Sequence, residues 1–260
     1  MIPYFQIDSL LVGPLIIQVW GLLVSLGIIA GLSVAYYLTR KIFLSPNVLL
    51  DMAIWALIAG LIGARLFFIW FYALDYYLAY PGEVWKFWQG GSSSLGGFVG
   101  AGTAIWIFAK VRHFSFKELL PYLDVGAIGL WLGWGIGRLG CFLIHDHPGR
   151  LSDFWLAVNF FDGARHDLGL YDSLLGFLIF SIFLISFKYL TRQRWGLVAG
   201  FSFGLYAIAR FFLDFLRATD LSVSDVRYYH LTTAKWGMLG ILFVLTFLVT
   251  FNIIVRRKVK

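Results

Sequence analysis

Charge is what this sequence has least of. Only 13% of its 260 residues are charged, where a soluble domain carries about 25%. Sixty per cent are hydrophobic, and mean hydropathy is +0.80. A chain with so little polar surface cannot hide its apolar residues in one water-soluble core, which excludes an ordinary cytosolic enzyme. Cysteine is nearly missing too. The single Cys141 excludes an internal disulfide framework. The opening MIPYFQIDSLLVGP has no Lys or Arg before its apolar stretch, so no cleavable signal peptide is expected. No internal repeat, low-complexity stretch or separate soluble domain is evident. Acidic residues number 14 against 21 Lys and Arg, for a net charge of +7. That excess does not point to nucleic acid, because the cations fall in short clusters between long apolar runs.

What is abundant is apolar and aromatic. Aromatic residues make up 19% of the chain and include 11 Trp, a residue suited to membrane interfaces. Seven runs approach the roughly 20 apolar residues that a bilayer core needs. They are Ile16–Leu38, Val48–Tyr72, Ser92–Ala109, Leu119–Ile136, Leu170–Leu190, Trp195–Leu216 and Trp236–Val255. The expected fold is an all-α integral membrane protein of about seven helices, one polytopic domain over residues 1–260. Twelve of the 21 cations would share one side: Arg40 and Lys41; Lys110, Arg112 and Lys117; Lys188, Arg192 and Arg194; and Arg256, Arg257, Lys258 and Lys260. The positive-inside rule makes that side cytoplasmic, with the N-terminus outside and the C-terminus inside. The longer connections, residues 73–91, 137–169 and 217–235, would then lie outside, where functional loops are expected.

Ionisable groups within spans are costly and usually face a cavity or a partner. Arg65, Asp124, Arg138, Asp172, Arg210 and Asp214 fall within or at the edge of spans. Arg210 and Asp214 are four apart and share a helix face. Arg210 lies about 22 Å along its helix from Trp195, and Arg138 closes the fourth span at a similar outer height. Arg65, Asp124 and Asp172 read as structural charges. Arg138 and Arg210 point to anion recognition, because guanidinium forks match phosphate oxygens. The densest segment is Gly137 to Arg150, GRLGCFLIHDHPGR, read as a loop after the fourth span. His145, Asp146 and His147 there look superficially like metal ligands, but alternate spacing without a third strong ligand is weak, and no metal is expected. Cys141 sits where apolar packing is as natural as catalysis.

Seven segments, in order, resemble the prolipoprotein diacylglyceryl transferase family. Ile17 to Leu22 resembles the first-helix motif, with Trp20 where a tyrosine usually stands. Gly63-Ala64-Arg65 resembles the second-helix Gly-x-Arg. Ser94 to Gly100 resembles His-Gly-Gly-Leu-Ile-Gly, with Leu95 at the histidine. Gly137 to Arg150 resembles the family signature, Gly-Arg-x-Gly-Asn-Phe-Ile-Asn-Gly-Glu followed by Gly-Arg, with Cys141 at the first asparagine and Asp146 at the acidic position. Tyr171-Asp172 resembles Leu-Tyr-Glu. Ala209 to Asp220 resembles Arg-Phe-x-x-Glu-Phe-x-Arg-x-x-Asp, with Asp214 for the glutamate. Leu231 to Trp236 resembles Leu-Thr-x-x-Gln-Trp.

The resemblance implies a multi-pass protein of the bacterial cytoplasmic (inner) membrane. The implied reaction moves a diacylglyceryl group from phosphatidylglycerol to the lipobox cysteine thiol of a preprolipoprotein, without nucleotide, metal or other cofactor. It implies catalytic roles for Arg138, Arg210, Asp214 and Asp146. Substrate contacts are implied at Arg138, Gly140, Gly149, Arg150, Gly96, Gly97 and Trp20. Leu95 cannot supply an imidazole base, so His145 or His147 is the expected substitute. A silent or re-purposed phospholipid-binding relative and a membrane transporter remain as alternatives. No paired broken helices of the inverted-repeat type are visible, and the last span has no lysine for a retinal Schiff base.

Overall fold

The computed structural model describes residues 1–86, 90–221 and 227–258. Lys260, one of the expected cytoplasmic cations, lies outside the described residues. The chain forms two compact units. One comprises Met1–Tyr37 and Leu123–Lys260, the other Leu38–Tyr122.

Helices dominate because a backbone in lipid must satisfy its own polar groups. They are α1 (Val19–Lys41), α2 (Pro46–Tyr72), α3 (Leu74–Ala79), α4 (Ser94–Val111), α5 (Phe116–Ile144), α6 (Leu168–Gln193), α7 (Leu197–Leu213) and α8 (Thr233–Lys258). Six segments are long and apolar enough to cross a membrane: α1, α2, α4, α5, α6 and Leu197–Leu216, which joins α7 to a short 3-10 turn. The last expected span coincides with α8, whose apolar stretch Thr233–Leu248 is shorter.

In the larger unit, α1 and α5 cross at glycines. A Cβ on Gly27 would lie 2.6 Å from the Gly133 carbonyl oxygen. Small residues let helices approach closely where lipid removes the hydrophobic drive for association. Ser173 on α6 donates to the Gly135 carbonyl of α5 at 2.8 Å. Asp124 on α5 accepts from the Gly196 and Ala199 amides at 2.7 and 2.8 Å, capping the start of α7. Trp131 and Tyr206, ring centroids 4.7 Å apart, fill the space between α5 and α7.

The smaller unit is built on α2 and α4. A Cβ on Gly63 would lie 2.5 Å from the Gly96 carbonyl oxygen. Arg65 on α2 is 1% exposed and gathers the segment after α3. Its guanidinium donates to the carbonyls of Glu83, Val84, Lys86 and Gly91 at 2.9–3.1 Å, and also to that of Gly90. The Tyr77 ring lies 5.1 Å from its central carbon.

Three small sheets, unexpected from the apolar pattern, occupy the connections. The four-stranded sheet has the order β1 (Ile2–Pro3), β5 (Val158–Phe160), β6 (Gly163–Asp167), β4 (Pro148–Leu151). A hairpin of β2 (Ser9–Val12) and β3 (Leu15–Gln18) leads straight into α1, and β7 (Arg227–Tyr228) pairs with β8 (Leu231–Thr232) before α8. β6 runs directly into α6, where Asp167 accepts from the Leu170 amide at 3.1 Å as the N-cap.

Arg138 does not close its helix. α5 continues to Ile144, so Arg138 and Cys141 are both helical. Gly137 and Gly140 each cost about 1 kcal/mol of helix propensity, but the run CFLI is apolar, and tertiary packing decides helix length.

Candidate functional site

Three helices of the larger unit bring a chain of buried charges together. Asp172, fully buried one turn into α6, stands between two arginines. One carboxylate oxygen is 3.7 Å from Arg138 Nε on α5, the other 3.3 Å from Arg210 Nε on α7. Arg210 Nη1 lies 3.6 Å from Asp214 Oδ1, one turn on, as the four-residue spacing requires. Arg217 Nε donates to that same Asp214 oxygen at 3.0 Å, and the Thr232 hydroxyl at the foot of α8 donates to the other. The Trp134 ring lies beneath Arg138, 4.6 Å from its central carbon.

Three guanidinium groups share two carboxylates, leaving one positive charge in excess. The contacts to Asp172 are longer than good charge-assisted hydrogen bonds, which run about 2.7–2.9 Å. Both oxygens of Asp172 and Nη1 of Arg210 have no hydrogen-bond partner among the described residues. Buried polar groups are normally satisfied. The cluster therefore keeps one spare donor, Arg210 Nη1, and two spare acceptors on Asp172.

The sequence signals fall around this cluster unevenly. Arg138, Arg210 and Asp214 belong to it. Asp172, read from sequence as structural, is its centre, and Arg217 and Thr232, read only as parts of motifs, are members. Their signal was the order of matched segments, since no spacing rule links residues on separate helices. Asp146 sits just past α5, exposed, with its carboxylate 3.0 Å from His147 Nδ1. Arg150 is exposed on β4. At Gly140 a Cβ would come within 3.1 Å of the Trp20 Cα, so this glycine seats α1 against α5. At Gly149 a Cβ would lie 2.6 Å from the Leu216 carbonyl oxygen, and the glycine bridges to Arg217. Protein backbone and side chain therefore fill the space at both positions. Trp20 is half exposed at the start of α1. Gly96 and Gly97 belong to the smaller unit, on the α4 face that meets α2.

The signature histidines separate clearly. His145, in the left-handed region at φ +50°, is buried. Its Nδ1 is 2.7 Å from Asp167, and the rings of Tyr4, Phe5, Phe142 and Phe160 enclose it. His147 is only half buried. His166 is half buried beside the Tyr171 hydroxyl at 2.8 Å, and burial holds its imidazole below the ordinary value. Cys141 is buried, with its sulfur 3.8 Å from Arg138 Nη1.

An outer clasp lies beside the site. Arg165 on β6 donates to Asp162 at 2.7 Å and Asp220 at 2.6 Å, and to the Gly149 carbonyl at 3.0 Å. It ties the four-stranded sheet to the segment after α7. Hydrogen bonds from Arg165 hold both carboxyls below the ordinary carboxylate range. Among the described residues, no group of three or more His, Cys, Asp or Glu is arranged to hold a metal ion.

Comparison with known proteins agrees with this architecture. The sequence profile of the prolipoprotein diacylglyceryl transferase family matches residues 9–253. A protein of Pseudomonas fluorescens is 33% identical over 246 residues, covering 90% of each chain. One from Finegoldia magna is 31% identical over 225 residues, covering 86% of this chain and 88% of its own. One from Nitrobacter winogradskyi is 33% identical over 232 residues, covering 84% and 78%. All three carry the name phosphatidylglycerol–prolipoprotein diacylglyceryl transferase. With the profile matching nearly the whole chain, and the buried arginines in their expected helices, this multi-pass membrane protein belongs to the prolipoprotein diacylglyceryl transferase family.

Proposed function

We propose that this chain transfers the diacylglyceryl group of phosphatidylglycerol to the lipobox cysteine thiol of a preprolipoprotein in the bacterial cytoplasmic membrane. The observation that carries this reading is the buried cluster with one positive charge in excess and an unpartnered donor, Arg210 Nη1. In the reaction, sulfur attacks the glyceryl carbon and a thioether bond forms. The carbon–oxygen bond breaks, and its electron pair leaves on the phosphate as glycerol phosphate. Negative charge grows on that phosphate in the transition state. Preorganised donors aimed at growing charge lower the barrier most.

Arg138 and Arg210 take the phosphate oxygens. Asp172 holds both guanidinium planes, and Asp214 orients Arg210 with help from Arg217 and Thr232. Asp146 and Arg150 act at the outer mouth. Trp20, half exposed at the start of α1, meets the substrate, while Gly140 and Gly149 act by letting backbone pack closely around the site. No cofactor takes part, and nucleic acid is no partner. The N-terminus lies outside and the C-terminus in the cytoplasm across seven helices, so the lipid enters from the outer leaflet. Reporter fusions after Lys260 and within residues 150–168 test that orientation, the first expected in the cytoplasm and the second outside.

Purified protein in phosphatidylglycerol, given a lipobox peptide, should release glycerol phosphate as the peptide gains a diacylglyceryl group. Folded protein that releases none with several lipobox peptides would overturn the reading and favour a silent phospholipid-binding relative.

A further inference from the structure

Thiol alkylation needs a base, and the chain has leucine at residue 95, where the resemblance leads one to expect histidine. We propose that His147, oriented by Asp146, is that base; the inference rests on the transferase reading above. Five histidines are available. His113 occupies the turn before α5, at the opposite end of that helix from Arg138. His145 is 7% exposed, and its Nε2 is closed off from solvent behind aromatic rings, so no peptide thiol reaches it. His166 is engaged with Tyr171. His230, at the β7–β8 turn, makes no ion pair among the described residues.

His147 differs from all four. Its Nδ1 faces the Asp146 carboxylate at 3.0 Å, and its side chain is 28% exposed. A carboxylate at Nδ1 selects the tautomer with the proton on that nitrogen, which leaves the Nε2 lone pair free to take a proton. The backbone that carries the ring is also held from two sides. The Asp146 amide donates to the Cys141 carbonyl at 3.4 Å, at the end of α5. The His147 carbonyl accepts from the Leu168 amide at 3.1 Å, at the head of α6. Cys141 in turn touches Arg138. The base and the phosphate-binding arginine thus share one short stretch of backbone. Of the charged groups on the elements next to His147, Asp146 pairs with its ring, Arg150 lies further along β4, and Asp167 at the end of β6 is taken up by His145.

In the step, the peptide S–H proton passes to Nε2. The sulfur pair forms the S–C bond while the C–O pair departs with phosphate. The imidazolium then gives its proton to the phosphate dianion or to water, which restores the base.

The test is turnover against pH in phosphatidylglycerol for wild type, His147→Gln, His145→Gln and His230→Gln. His147→Gln should lose on the order of 100-fold at neutral pH, with KM for lipid unchanged. Its rate should climb steadily with pH as the peptide thiol ionises unaided. His145→Gln and His230→Gln should keep the wild-type shape of rate against pH. A peptide with selenocysteine for the lipobox cysteine, already ionised at neutral pH, should restore most of the rate to His147→Gln. A merely structural role for His147 predicts no such rescue. An active wild type with an unchanged profile in His147→Gln, or failure of the selenocysteine peptide to rescue folded variant, overturns the base assignment alone. A wild type that transfers to neither peptide overturns the transferase reading with it.

Discussion

Two buried arginine environments in this protein look alike in the sequence and differ in the structure. Arg65, on α2, is surrounded by neutral acceptors, five backbone carbonyls of one connecting segment. Arg138 and Arg210, on α5 and α7, share one aspartate at 3.7 and 3.3 Å, and Arg210 keeps an unpartnered nitrogen. The first arrangement spends its donors on folding a loop. The second holds them back at the cost of desolvated charge, a cost that stability alone does not explain. Satisfaction of the donors, not burial or membrane depth, separates a structural arginine from one kept for a ligand.

The comparison breaks most readily at the cluster. Arg138→Ala and Arg210→Ala should each lower turnover on the order of 100-fold or more. Arg→Lys at either position should be nearly as harmful, because an ammonium cannot make the planar two-point contact. Turnover in both sets is read per folded molecule, because removing one partner of a buried ion pair also destabilises. Wild-type rates in either alanine variant would remove the functional half of the contrast.

Arg65→Ala should show the reverse. Leaving buried carbonyls without donors costs on the order of 3 kcal/mol. A lower unfolding temperature is expected, with turnover per folded molecule largely kept. Arg65→Lys should not rescue it, since three donors from a point charge cannot span five carbonyls. Normal stability with lost turnover would assign Arg65 to the chemistry instead.

A smaller effect is expected at Cys141. Its thiol touches Arg138 but belongs to the packed end of α5. Cys141→Ala and Cys141→Asn should keep most activity, measured as glycerol phosphate release. Abolished turnover in both would make the thiol a participant.

Arg165 offers a third environment and the smallest effect. It is paired with two exposed carboxylates, Asp162 and Asp220. Their folded values lie below the ordinary carboxylate range. The stability they contribute is therefore complete above the ordinary aspartate value of about 3.9. It is lost only as pH falls through the depressed folded values. Protection of residues 161–165 against hydrogen exchange, relative to the unfolded chain at the same pH, should stay flat from neutral to mildly acidic pH and fall only in strong acid. A loss of protection near pH 6 would mean that a histidine, not this clasp, controls the segment.

Much of the protein was legible before any coordinates. Scarcity of charge and the length of apolar runs determined a multi-pass helical membrane protein, because hydropathy is a property of each local stretch and membrane thickness is constant. The ordered motifs determined the family, and the i, i+4 spacing of Arg210 and Asp214 determined that they share a helix face. Only the tertiary structure decided which groups on different helices meet. Asp172 reads as one more charge in a span until α6 packs against both α5 and α7 and sets it against both arginines. His145 and His147, alternate residues in one short segment, read as interchangeable until one is sealed among aromatic rings and the other is left facing Asp146. α5 reads as ending near Gly137 until packing against α1 offsets the cost of its glycines. Apolar burial sums along the chain and can be read from it; the partner of a buried polar group is a single distant residue, chosen only when the helices pack.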